Sequence, residues 1–131
     1  MTADMRFSVV IPTHNRKDTL RRCLATATGQ VYPDYEVIVV DDGSTDGTGD
    51  MVQREFPQVR YIRQDPNRGP AVARNRGIEV ADGEIIAFTD DDCLLPLDFL
   101  SRLAEGYQRY PEVAGVGGYL EAPDELLRTN P

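Results

Sequence analysis

At 131 residues, with 40% hydrophobic and 27% charged, the chain has the make-up of one globular domain with one core. Its net charge of −8 disfavours a nucleic-acid polymer as partner but leaves a nucleotide open, because a divalent cation can bridge acidic protein to phosphate. No apolar run approaches the roughly 18 residues of a membrane span. Met1 to Arg6 is too polar for a secretory leader, and two cysteines outside any CxxC pattern indicate neither a disulfide framework nor structural zinc. A cytoplasmic location is expected, at the cytoplasmic face of a membrane if a longer parent chain carries an apolar segment.

Apolar runs and helical patterns alternate along the chain. Phe7 to Ile11 is a β-branched run ending at Pro12, a first strand. Leu20, Cys23, Leu24 and Ala27 follow the i, i+3, i+4, i+7 rule of an amphipathic helix. Glu36 to Val40 predicts a second strand, closed by Asp41-Asp42-Gly43. Asp46 to Phe56 predicts a short helix with Asp46 as N-cap. A third strand, Val59 to Arg63, alternates with polar residues. Pro70 to Ala81 reads as a helix with proline at an allowed first-turn position. Ile85 to Thr89 predicts a fourth strand, closed by Asp90-Asp91-Asp92. Pro96 to Tyr110 predicts a helix in which Leu100, Leu103, Ala104 and Tyr107 share one face. Val113 to Tyr119 predicts a fifth strand, loosened by three glycines.

This order predicts an α/β domain, doubly wound, with a mainly parallel sheet and helices on both faces. Residues 1–119 form the expected domain, and 120–131 a tail or the truncated edge of a longer one. In such sheets ligands bind at the carboxyl ends of the strands. There the sequence places Pro12-Thr13-His14-Asn15-Arg16, Asp41-Asp42-Gly43-Ser44 and Asp90-Asp91-Asp92.

Each group has two readings. Three adjacent carboxylates repel one another unless a cation relieves them, which suits Mg²⁺ or Mn²⁺; the alternative is a solvated turn with Asp92 capping the next helix. Asp42 can accept from a base or ribose, or can form an Asx turn with Gly43. Asn67-Arg68-Gly69 and Arg74 place basic groups at a helix start, which suits a diphosphate or a solvated face. His14, the single histidine, is given no role.

Four motifs together are familiar: Ser8-Val-Val-Ile-Pro-Thr-His-Asn-Arg16, Val39-Val-Asp-Asp-Gly-Ser-Thr-Asp-Gly-Thr48, Asn67-Arg-Gly-Pro-Ala-Val-Ala-Arg-Asn-Arg-Gly77, and Phe88-Thr-Asp-Asp-Asp92 with Pro96. In this order and spacing they resemble family 2 glycosyltransferases of the GT-A fold, over about residues 7 to 119. The resemblance implies metal-dependent, inverting transfer of a sugar from a nucleotide diphosphate, most often a uridine one, to a hydroxyl of a saccharide, lipid or protein acceptor. It implies a nucleotide site of Pro12, Thr13, Asn15, Arg16, Asp42, Gly69, Arg74 and Asp90, with Asp42 at the base and Asp90 toward the ribose. It implies Mn²⁺ or Mg²⁺ on Asp91, the first choice, and Asp92. The common spelling of the family's acidic (DXD-type) motif is Asp-x-Asp-Asp, and here Thr89 takes its first position. In the family the catalytic base follows the fifth strand, so it is expected beyond Pro131.

Other classes lack their signatures. No glycine lies in Pro12 to Arg16, as a dinucleotide-binding GxGxxG needs, and none precedes Lys17, the single lysine, as a P-loop needs. A receiver domain expects a lysine at its last strand, and a haloacid-dehalogenase-type phosphatase expects Asp-x-Asp-Gly-Thr. A nucleotidyltransferase usually carries a glycine-rich basic loop after the first strand. The rivals retained are that enzyme and a nucleotide-sugar-binding module without turnover. Self-association through an exposed sheet edge is a further expectation.

Overall fold

The computed structural model describes residues 5–111. Four strands, β1 (Phe7–Thr13), β2 (Tyr35–Asp41), β3 (Arg60–Arg63) and β4 (Ile85–Phe88), alternate with helices α1 (Lys17–Ala27), α2 (Thr48–Glu55), α3 (Pro70–Val80) and α4 (Phe99–Arg109). All three strand pairings are parallel, and the sheet order is β3-β2-β1-β4. The expected fifth strand and the expected boundary at residue 119 lie outside the described residues.

The order explains the two layers. The first two crossovers step from β1 to β2 to β3 in one direction, so right-handed connections put α1 and α2 on one face. The third steps back past β1 to β4, and the same handedness puts α3 on the other face. Strand side chains divide with period two. Phe7, Val9, Ile11, Val37 and Val39 enter the larger core with Leu20, Leu24, Met51, Val52, Leu100 and Leu103 from the helices. Val10, Ile38 and Val40 meet Ala73 of α3 in the smaller one.

Element ends differ from the expected ones for identifiable reasons. Strand β1 continues through Pro12 to Thr13 in register with Val40 and Asp41. Its pairing with β4 stops at Val10, so Pro12 has a ladder on one side only, where its missing N–H is tolerated. Helix α2 starts at Thr48, with Gly47 at φ 90° as its N-cap residue. Asp46 still accepts from the Thr48 N–H at 3.1 Å, acting from one residue further out than expected. Helix α4 starts at Phe99 rather than Pro96, because the Gln30 side-chain oxygen takes the Leu100 N–H at 3.0 Å and its amide donates to the Pro96 carbonyl at 2.7 Å.

Gly77 is where α3 presses on the sheet. A Cβ there would lie 2.4 Å from a methyl carbon of the buried Val10. Alanine is favoured in a helix by about 1 kcal/mol, but overpacking against a stiff β-branched neighbour costs about 1–3 kcal/mol. Gly77→Ala is therefore expected to lower the urea unfolding free energy by about 1 kcal/mol. Adding Val10→Ala should cost less in that background than in the wild type, a coupling that equilibrium unfolding of the four proteins measures.

Candidate donor site

Strand β1 outruns β4 by three residues and the order in which the chain adds strands reverses between them, so a crevice opens at their carboxyl ends. A cavity of about 490 Å³ occupies it, lined by Pro12, Thr13, His14, Arg16, Asp42, Pro70, Ala73, Arg74 and Asp90 to Asp92. The Thr13 hydroxyl donates to Asp91 Oδ2 at 2.9 Å and ties the two strand ends together. Arg16 Nη1 donates to Asp91 Oδ1 at 3.2 Å and lies 3.7 Å from Asp92 Oδ2. Arg74 Nη2, from α3, lies 3.6 Å from Asp90 Oδ1.

Asp91, expected as the first metal ligand, is turned inward. It is buried, and both its oxygens are engaged by Thr13 and Arg16. The outward pair is Asp90 and Asp92, which with Cys93 bring three ligand atoms within 4.8 Å of one another. The reason is local: Cys93 N–H donates to the Asp90 carbonyl, and the resulting turn leaves Asp90 and Asp92 exposed around a buried Asp91.

Asp42 organises the neighbouring loop. Its Oδ1 accepts from the Arg68 N–H at 2.6 Å and from Gln64 at 3.0 Å, and its Oδ2 accepts from the Gly69 N–H at 2.9 Å. Burial pushes the carboxyl upward, but these donors outweigh it and hold Asp42 below the ordinary carboxylate range. Gly69, at φ 96°, takes a backbone shape that side chains rarely allow, and this aims its N–H at Asp42. Asn15, at φ 50°, cross-links two loops: its N–H donates to Ser44 Oγ and its side-chain oxygen accepts from the Thr45 N–H, each at 2.8 Å.

Of the ten residues expected at the site, Pro12, Thr13, Arg16, Asp42, Arg74, Asp90, Asp91 and Asp92 line the one cavity, whereas Asn15 and Gly69 brace its loops from outside. His14, given no role, lines it as well, with Nδ1 2.7 Å from the Asp42 carbonyl oxygen. The part that α1 plays in holding the site was missed. From α1, the buried Cys23 thiol donates to the Asp90 carbonyl at 3.6 Å and Thr26 Oγ1 accepts from the Leu95 N–H at 3.0 Å. Just beyond the helix, Gln30 holds Pro96 and Leu100. Burial first, and then the neighbouring Cys93 and acidic loop, push the Cys23 thiol up to about 12, so it remains a donor. Cys23 registered in the sequence only as a core position; Gln30 follows the helix and carried no signal.

Four carboxylates and two guanidiniums face this cavity. A diphosphate would add negative charge to a surplus of it, whereas a divalent cation would cancel the surplus.

Comparison with known proteins fits this geometry. The model of the glycosyl transferase family 2 matches residues 8–130. Glycosyltransferase AglE of Haloferax volcanii is 39% identical over 108 residues, covering 78% of this chain and 36% of that protein. The poly(ribitol-phosphate) beta-glucosyltransferase of Bacillus spizizenii is 38% identical over 104 residues, covering 75% of this chain and 16% of that protein. The chain thus spans well under half the length of these relatives. Among solved structures, the mannosyltransferase PcManGT from Pyrobaculum calidifontis in complex with GDP-Man and Mn²⁺ superposes with a TM-score of 0.79 at 31% identity, covering 97% of this chain and 39% of that one. TarS of S. aureus in complex with UDP-GlcNAc gives 0.77 at 28% identity, covering 88% and 37%. The strand order, the crevice beside β1 and the family match lead to one conclusion: the chain belongs to glycosyl transferase family 2 and has its GT-A fold.

Proposed function

We propose that this chain binds the donor of a sugar transfer, a nucleotide diphosphate sugar, together with Mn²⁺ or Mg²⁺, and that the reaction is inverting transfer to an acceptor hydroxyl. The observation that carries the reading is the cavity where the strand order reverses, where eleven residues from four chain segments converge with two carboxylates in excess over guanidiniums. PcManGT with GDP-Man and Mn²⁺, and TarS with UDP-GlcNAc, support this class of ligand.

The residues fit a hard divalent ion. Asp90 and Asp92 offer oxygen ligands from an exposed turn, and such an ion takes one or two carboxylates plus substrate phosphates. When bound, it neutralises charge on the departing diphosphate. The chain's own residues do the rest. Asp91 fixes the turn against β1, Asp42 holds the loop before α3 against the base, and Arg74 and Arg16 reach the phosphates. Asp42 and Asp91 are taken up by anchoring contacts and Asp90 and Asp92 by the cation, so none of the four is assigned as the base that activates the acceptor.

Calorimetry with UDP tests the cation bridge: affinity is expected to rise about tenfold or more when Mn²⁺ replaces excess chelator, equal affinities contradicting it. Asp92→Asn should abolish most of that gain. Asp91→Asn should instead lower stability by about 1–3 kcal/mol, because it disrupts a buried charge-assisted pair of contacts.

Asp42→Asn should weaken UDP binding both with and without Mn²⁺, because one amide oxygen cannot replace two carboxylate oxygens. The lowered Asp42 pKa sets the sign with pH. Its contribution to stability is complete above the unfolded carboxylate value of about 4 and is lost as pH falls through the lower folded value. Acid titration of unfolding should therefore show a loss confined below about pH 4, reduced in Asp42→Asn.

A further inference from the structure

We infer that Arg16 competes with the divalent cation for Asp92 and passes to the diphosphate when the donor binds, so that it couples cation entry to nucleotide entry; this rests on the donor-site reading above. The contacts of Arg16 are asymmetric. One guanidinium faces two carboxylates: its contact with Asp91 is 3.2 Å and that with Asp92 is 3.7 Å. The Asp91 side chain is only 9% exposed, whereas those of Arg16 and Asp92 are 54% and 57% exposed. The shorter, more buried contact anchors the guanidinium, and the longer, wet one is weak.

Asp92 is also one of the two outward carboxylates available to a cation. A cation on Asp92 would bring two positive centres to one carboxylate, and their repulsion favours departure of the guanidinium from Asp92. The backbone is placed so that only the side chain needs to move. Asn15 is pinned to Ser44 and Thr45, and the Lys17 N–H is held by Asp46. Although Arg16 is the N-cap residue of α1, its side chain caps nothing. A released guanidinium remains in the cavity wall with Arg74, where planar paired donors suit phosphate oxygens.

This mechanism predicts effects of opposite sign in one variant. Mn²⁺ binding to the folded chain, read by electron paramagnetic resonance without nucleotide, should be about threefold tighter in Arg16→Gln, the size expected for losing a half-exposed competing charge. UDP binding at saturating Mn²⁺, read by calorimetry, should be about tenfold weaker, since a charge-assisted phosphate contact is lost. Unchanged or weaker Mn²⁺ binding alone would overturn the inference. Arg16→Lys serves as the second variant if Arg16→Gln does not fold. It should keep Mn²⁺ affinity within about twofold of wild type while weakening UDP, because it retains the charge and loses the fork. The reverse pattern in Arg16→Lys also overturns the inference. A wild-type chain that takes up no Mn²⁺ even with UDP present overturns the donor-site reading itself, and the same titration shows it.

Discussion

A parallel sheet whose strand order reverses beside its first strand sends the loops on either side of the reversal to opposite faces, and the site depends on this constraint. Here the reversal lies between β1 and β4. Because β4 ends three register positions before β1 does, Ile11 to Thr13 border an opening instead of a neighbouring strand. The chain closes that opening with polar side chains. Thr13 reaches across to Asp91, Arg16 reinforces the contact, Cys23 of α1 holds the Asp90 carbonyl, and Thr26 with Gln30, just beyond the helix, holds the segment that follows the turn. The acidic turn is thus suspended between a strand end and a helix.

The electrostatics follow from the same suspension. Turning Asp91 inward relieves part of the repulsion among three adjacent carboxylates, because its charge is met by a hydroxyl and a guanidinium. The remaining two point out and stay exposed. The chain therefore keeps charge where an ion can reach it and hides charge where the fold needs an anchor. Asp42 uses the same economy in a different loop, meeting two backbone N–H groups and the Gln64 amide, so a single carboxylate positions the whole approach to α3.

Much of this was legible in the sequence because it rests on local periodicity. Continuous runs such as Val37 to Val40 announce buried parallel strands, and Leu20, Cys23, Leu24 and Ala27 announce the helix face that covers them. The strand ends were legible too, since ligands of a parallel α/β sheet gather at the carboxyl ends of its strands. The orientation of each aspartate was not, because it depends on which neighbour donates to it. The sequence shows three adjacent carboxylates, and it is the donors Thr13 and Arg16, 78 and 75 residues away, that distinguish Asp91 from the others. Gln30 was silent for the same reason: a polar residue after a helix reads as surface, and its burial against Pro96 and Leu100 is a long-range fact.

The central claim is that a divalent cation and a nucleotide diphosphate meet in the crevice beside β1. A crystal structure of the chain grown with UDP and Mn²⁺, with the ion located by its anomalous scattering, tests it most directly. The account predicts one ion bound by Asp92 and a phosphate oxygen, with Asp91 still on Thr13 and the base between Pro12 and the loop held by Asp42. An ion ligated by Asp91 in place of Asp92, or a nucleotide lying outside this crevice, would contradict it.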